Sequence, residues 1–436
     1  MSQTHSPDVV IIGAGVVGAA CAYYASRAGL SVAVVDRGPV AGGTTGAGEG
    51  NLLVSDKGAG PELDLALLST RLWRELAETL PGETEYESKG GLVVAPDEAT
   101  VEALRGFAAG QRAAGVSCAE VAPEALHDLE PHLAPGLAGG FHYPQDAQVQ
   151  PALAAARLLA ASGAVRYLGE EVVEVLRDAT AAPGAGAGAG AGSGAGAGSG
   201  VGSGAGPGVG PHAGAGAGSV VRGAVRGVRT SRRTILAPAV VNAAGTWAGQ
   251  LAALAGTTLP VLPRRGFVLV TEPLPRVVRH KVYAADYIAD VASGSAALQS
   301  SAVVEGTPSG PVLIGATRER VGFDRSLSTE ALRRLASQAA ALFPVLADIR
   351  VLRAYHGFRP YLPDHLPAIG PDPRVPGLFH ACGHEGAGIG LAPATGLLIA
   401  AALRGEAPEL SLDPFRPDRF EDPGPEPAAE PARSTP

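Results

Sequence analysis

The sequence predicts an α/β chain, α+β overall. A Rossmann-like domain is assembled from separated segments, and a second domain rests on an antiparallel sheet. Three observations lead there. Strand, glycine turn and helix follow one another at the start, in the middle and at the end of the chain. Stretches with strand alternation lie between those units. The length, 436 residues, exceeds what one ordinary core organises. With 46% hydrophobic and only 17% charged residues, the chain can bury a core. A formal net charge of -8, with no long basic run, argues against a nucleic-acid partner gripped through its phosphates.

The elements read as follows. Residues 8–36 are strand, helix, strand. "PELDLALLSTRLWRELAETL" has helical spacing, "TEYESKGGLVVAP" reads as strands and "DEATVEALRGFAAGQRAAG" is helical. "QPALAAARLLAASG" is a helix with Pro151 in its first turn. "EEVVEVLRD" and "VVRGAVRGVRT" alternate like strands. They flank a Gly/Ala-rich insertion, 183–219, too poor in apolar surface to offset its ordering entropy. It reads as a disordered loop at a hairpin tip. "RRTILAPAVVNAAGTWAGQLAALAG" is strand, glycine turn, helix. "RRGFVLVTEP", "AALQSSAVVEG" and "PVLIGATRE" are strands of the antiparallel sheet, and "STEALRRLASQAAALFP" is a helix. The last unit, "GLFHACGHEGAGIGLAPATGLLIAAALRG", is strand, glycine loop and a helix beginning near Leu391. Segments 1–82, 149–265 and 353–421 then form the nucleotide-binding domain. Segments 83–148 and 266–352 form the substrate domain, and 422–436 is a flexible tail.

"DVVIIGAGVVGAACAYYASRAGLSVAVVDRG" carries Gly13, Gly15 and Gly18 between an apolar strand and an amphipathic helix, with a second strand ending in Asp36. That context makes the glycine spacing a dinucleotide fingerprint. Gly13 allows the tight turn, Gly15 the approach of a pyrophosphate, and Gly18 close packing of helix on strand. Val16 and Val17 open the helix whose N–H groups and dipole face the phosphates. Asp36 suits an unmodified ribose. After it comes "RGPVAGGTTGAGEGNLL", a Gly/Thr loop longer than an NAD enzyme needs. Arg37, Thr44, Thr45, Gly48 and Leu52 of that loop are candidates to line a pyrophosphate and sugar chain. With the strand and turn "APAVVNAAGTWAGQL", this selects FAD over NAD.

These pieces, in this order, resemble the FAD-dependent D-amino acid oxidase superfamily over nearly the whole chain. The resemblance implies that the segment of Val172 and Val173 passes beside the adenine. It also implies that Ala243, Ala244, Gly245 and Trp247 lie close to the cofactor. "AYHGFRPYLPDHLPAIGP" resembles the family's Gly-Leu-Arg-Pro segment, with Phe358 where Leu is usual. By that resemblance Arg359 clamps a substrate carboxylate, which suits a permanently charged fork. The implied reaction is oxidation of a C–N bond by hydride transfer to the flavin. It needs orientation more than a strong base, so no catalytic triad is expected. Tyr283, Tyr287 and His356 are candidates for polar contacts to the amine, against the alternative of core or surface positions. Glu49 and Asn51, at the end of the Gly/Thr loop, are candidates to face the flavin ring.

"FHACGHEGAGIGLAPATG" raises a choice between metal and cofactor. His380 and Cys382 share one face of a strand, and no second cluster supplies distant ligands, so no metal is expected. As a glycine loop, Gly383, Gly386, Gly388 and Gly390, with Ile389, would bring a helix N-terminus to the flavin edge where negative charge develops. His384 and Glu385 would line that end. The same stretch resembles flavin subunits of multi-subunit dehydrogenases such as D-hydroxyproline dehydrogenase, opine oxidase and hydrogen cyanide synthase. That implies a small amino- or imino-acid substrate, D-hydroxyproline first, with iron–sulfur and second flavoprotein subunits as partners. Alternatives are a glycine/sarcosine oxidase-like enzyme using oxygen and a non-catalytic FAD-holding subunit. Cys21, Cys118 and Cys382 are too few and too scattered for a disulfide framework. The polar N-terminus lacks a signal pattern, and the longest apolar run is short of the roughly 18 residues of a membrane span. A cytoplasmic protein is expected.

Overall fold

Apolar runs punctuated by glycine become parallel strands. The computed structural model describes residues 6–80, 84–178 and 223–420. One sheet has six strands, in the order Ala368–Pro371, Leu378–Cys382, Ala239–Asn242, Val9–Ile12, Val32–Asp36, Val165–Leu168. Neighbours pair in parallel except the first two, which are antiparallel. Val9–Ile12 is buried along its length, as a strand covered on both faces must be. The three strand–glycine–helix units expected from sequence all contribute to this one sheet.

Helix Val16–Arg27 lies over it, and its closeness is set by glycine. Gly13 has φ +119°, and a Cβ there would meet Ala243 O at 2.2 Å. A Cβ on Gly18 would come 1.9 Å from Gly13 O. Helix Gly388–Arg404 packs on the same helix through Gly396, where a Cβ would lie 2.6 Å from the Ala20 carbonyl carbon. This C-terminal helix begins three residues before the expected start at Leu391, so Gly388, Ile389 and Gly390 form its first turn and not a loop. The glycines do not end it, because Leu391 N already donates to Ala387 O at 3.0 Å.

The second sheet has eight strands, in the order Val351–Tyr361, Leu262–Pro273, Pro311–Arg318, Gln299–Gly306, Lys281–Ala284, Gly91–Ala95, Gly139–Tyr143, Ala119–Val121. It is antiparallel except where Lys281–Ala284 meets Gly91–Ala95 in parallel. The alternation of its strands sends Leu92, Val94, Val282, Val304 and Ile314 to one face, under Leu335, Ala339 and Leu342 of helix Thr329–Leu342. Ser328 caps that helix by accepting from Ala331 N at 3.2 Å. Val93, Phe141, Tyr283 and Val303 share a core with the fingerprint helix. Strand Val351–Tyr361 was not visible as an element in the sequence. Its first half is partly exposed, with Leu352 at 62%, so burial imposes little alternation.

Val172–Arg177 and Val225–Thr230 pair antiparallel, with Thr234–Leu236 beside the latter. The insertion 183–219 and the tail 422–436 lie outside the described residues. Among those described, no helix is long and apolar enough to cross a membrane.

Gly396→Val should lower stability by about 1–3 kcal/mol, the usual cost of overpacking a tight contact. Urea denaturation of the wild type and the variant checks it, and an unchanged midpoint would mean the two helices have room to part.

Candidate active site

A cleft of about 740 Å³ opens where the two sheets meet. One end lies at Asp36. The Oδ2 of Asp36 accepts from Ala14 N and its Oδ1 from Gly38 N, both at 2.7 Å, which fixes the carboxylate at the cleft wall. Val172 and Val173 lie alongside, and the Arg37 guanidinium sits 4.2 Å from the Trp247 ring centroid. Gly13, Gly15, Val16 and Val17 line the middle, with Ala243, Ala244, Gly245, Gly48 and Asn51. A buried Asn51 Oδ1 there has no hydrogen-bond partner.

The two threonines of the loop are not free. Thr45 Oγ1 accepts from Val16 N at 3.0 Å, so it takes one N–H of the fingerprint helix for the protein. Thr44 Oγ1 donates to Phe358 O at 2.6 Å, and Thr246 Oγ1 donates to the same carbonyl at 2.7 Å. Four of the positions expected to bind the cofactor do not line the cleft. Gly18 serves helix packing. Leu52 is buried and pairs with Ala147. A Cβ on Gly383 would meet Leu362 Cδ1 at 2.1 Å, and Gly390 packs on the backbone of residues 51–53.

At the other end stand Arg359, Arg318, Tyr287, Glu49, His384, Glu385, Gly386, Gly388 and Ile389. Arg359 donates from Nη1 to Thr317 O at 2.7 Å. Burial and the neighbouring Arg318 push its guanidinium down to about 10, so it stays charged at neutral pH. Arg318 is 4% exposed and lies 4.6 Å from the Tyr287 ring centroid. Its Nη1 has no hydrogen-bond partner. Sequence reading passed over Arg318. Its only signal was a charge closing the apolar strand "PVLIGATRE", and a register shift between Ser300 and Val303 in the adjacent strand disturbs the alternation there.

The Glu49 carboxyl lies against Gly315, where a Cβ would come 2.0 Å from Oε1. That oxygen is buried without a partner. Burial raises the carboxyl's pKa, opposed by Lys281, Arg359 and Arg318. Lys281 is itself buried and ion-paired with Glu305.

His384 and Glu385 line the cleft, and both are also engaged by protein groups. Thr395 Oγ1 donates to Leu391 O at 2.9 Å, so its 2.9 Å contact with His384 Nε2 makes the imidazole the donor. Burial pushes that imidazole down to about 3, leaving a neutral wall group with no proton to give. The Glu385 carboxylate is held by Arg264 and, at 3.0 Å, by His365 Nδ1. Tyr283 does not reach the cleft, because it donates to Ser55 Oγ at 2.6 Å inside the core. His356 packs edge-on against Phe358 and faces a neighbouring groove.

The metal-like residues are dispersed. His380 bonds Asn242 and Asp372, and Cys382 is a buried free thiol. Among the described residues no group of three or more His, Cys, Asp or Glu is arranged to hold a metal.

An acidic end, a glycine-lined middle under a helix N-terminus, an orphaned amide oxygen and a guanidinium end suit an extended dinucleotide with a small anion beyond it. The family profile "FAD dependent oxidoreductase" (DAO) matches residues 8–402. The glycine oxidase of Geobacillus kaustophilus is 30% identical over 424 residues, which is 95% of this chain and 97% of that protein. Hydrogen cyanide synthase subunit HcnC of Pseudomonas aeruginosa is 28% identical over 477 residues, covering 98% and 99%. Among solved structures, the Geobacillus glycine oxidase superposes with a TM-score of 0.77 at 27% identity, over 95% of this chain and 99% of that one. The L-proline dehydrogenase from P. horikoshii has the same fold, with a TM-score of 0.78 at 22% identity over 96% and 99%. The chain belongs to the DAO family of FAD-dependent oxidoreductases.

A buried histidine lowered from 6.5 to about 3 binds protons in the unfolded chain before it does in the folded one. Its contribution is therefore present above about pH 6.5 and is lost as pH falls toward 3. His384→Gln should flatten the loss of stability between pH 6.5 and 4, read from urea midpoints across that range. Parallel profiles for variant and wild type would contradict the assignment.

Proposed function

We propose that this chain oxidises the C–N bond of a small amino or imino acid in the manner of a glycine oxidase. The observation that carries the reading is Arg359, a half-buried guanidinium tied to Thr317 O at the end of the cleft. The segments that form the six-stranded sheet would hold the cofactor, along Gly13–Val17, Asp36 and Ala243–Gly245. FAD bound there supplies the two-electron acceptor for the hydride leaving the carbon beside nitrogen.

The chain's own residues bind and orient. Arg359 pairs with the substrate carboxylate through its planar fork, and the bond to Thr317 O limits how that fork can turn. Glu49 Oε1, buried and without a partner, is suited to accept a hydrogen bond from the amine. The first turn of helix Gly388–Arg404 lends a positive dipole end to this part of the cleft. His384 takes no proton, and its neutral ring closes the wall.

A D-hydroxyproline dehydrogenase, the first expectation from the C-terminal stretch, has less support, because similarity along the whole chain runs to glycine oxidase. A second reading keeps one specific support. The likeness to HcnC, a protein named as a subunit, favours electron transfer to partner subunits in place of oxygen. Any iron–sulfur centre would then sit on the partner, since Cys21, Cys118 and Cys382 are isolated free thiols.

Anaerobic mixing of the FAD-bound protein with glycine, sarcosine, D-proline and hydroxyproline isomers should bleach the flavin absorbance with at least one of them. Admitting oxygen then reports the acceptor. Arg359→Ala should raise KM by at least about tenfold, the loss expected for a charge-assisted pair, while flavin stays bound. A flavin that no amine reduces, or an unchanged KM in the variant, sinks this reading.

A further inference from the structure

The substrate end of the cleft holds one more cation than a simple amino acid answers. Arg318 and Arg359 both line it, Arg318 buried and Arg359 half-buried. Two neighbouring guanidiniums at one end of a cleft repel one another, and withdrawing them from water is costly unless an anion is supplied. The protein supplies few. Glu385 is already answered by Arg264 and His365. At the far end Glu170 is bound by Arg233, and Glu171 faces Arg37. Asp36 is taken up by backbone N–H groups. Lys281, behind the site, has Glu305. Among the described residues, what remains is Glu49, whose carboxyl burial drives toward its neutral form, and Asp290, which with Glu385 favours the charge of Arg318 but leaves its Nη1 without an acceptor.

The two arginines are also held differently. Arg359 has a protein acceptor, Thr317 O. Arg318 packs its guanidinium on the Tyr287 ring, and its Nη1 is buried with nothing to donate to. A buried guanidinium N–H left unpaired is expensive, and a ligand oxygen removes that cost. A substrate with one carboxylate, held by Arg359, would leave Arg318 as it is.

On the reading that this site oxidises an amino or imino acid, we propose that its substrate carries two carboxylates, one held by Arg359 and the other by Arg318. Amino dicarboxylates are the class that fits. The carboxylate nearest the reacting carbon sits on Arg359, the nitrogen faces Glu49, and the second carboxylate reaches the unpartnered edge of Arg318. Association then neutralises both charges, so the second carboxylate adds affinity as well as register.

The test uses unreactive carboxylates on the FAD-bound protein, with affinity read by calorimetry and by the shift of the flavin spectrum. Malonate and succinate should bind at least about tenfold more tightly than acetate and propionate. Arg318→Leu should lower dicarboxylate affinity by at least about tenfold more than monocarboxylate affinity. Should the leucine variant fail to fold, Arg318→Lys keeps the charge and loses the fork, and should give an intermediate preference. Equal affinity for the two classes, or no binding of either at millimolar concentration, overturns the proposal. So does an Arg318 variant that weakens both classes by the same factor, since both arginines would then grip one carboxylate. These readouts need no turnover. A dicarboxylate preference in a protein whose flavin no amine reduces would count against the proposed reaction and not against the two-carboxylate site.

Discussion

Phe358 O is the point on which the site's geometry turns. Two hydroxyls from separate parts of the first half of the fold donate to this one carbonyl: Thr44 from the glycine loop and Thr246 from the turn after Ala239–Asn242. Two residues on, Pro360 O accepts from Glu385 N at 3.0 Å, so the loop before the C-terminal helix docks there too. Residues 358–360 thus join the six-stranded and eight-stranded sheets. Each bond contributes only about 1 kcal/mol net, but together they fix where Arg359 stands relative to the glycine-lined groove. The carboxylate clamp proposed for Arg359 works only at a defined distance from the reacting atoms.

Charge explains the rest of the arrangement. The interior around the cleft holds many ionic groups, and most are matched: Arg264 with Glu385, Arg265 with Glu319, Lys281 with Glu305. Pairing of this kind offsets part of the desolvation cost of burying each charge. The unmatched groups gather at the substrate end. Burial strengthens their interactions and raises the cost of leaving them alone, which is how a binding site stores the preference for its ligand. The neutral His384 fits that scheme, because a cation there would add to an excess already present.

Sequence carried the fingerprint fully, because a glycine turn is a local event. Gly13, Gly15 and Gly18 are needed for backbone closeness, and neighbours within a few residues announce it. Arg359 was legible through the glycine and proline beside it. The run "HACGHEG" showed ligand-type residues in sequence, but strand geometry sends His380 to Asn242 and Asp372 while Cys382 goes into the core. The hydroxyls of Thr44 and Thr45 could not be followed, because their partners Phe358 and Val16 lie 314 and 29 residues away. Arg318 was hidden for a related reason. Nothing local tells a charge ending an apolar strand at the surface from one turned into a cleft.

The most direct measurement is a crystal structure of the FAD-bound protein with an unreactive carboxylate analogue in the cleft. The analogue's carboxylate should sit on the Arg359 fork, within hydrogen-bond distance, between the cofactor and the wall formed by Tyr287 and His384. An analogue bound elsewhere, with Arg359 still holding only Thr317 O, would contradict it.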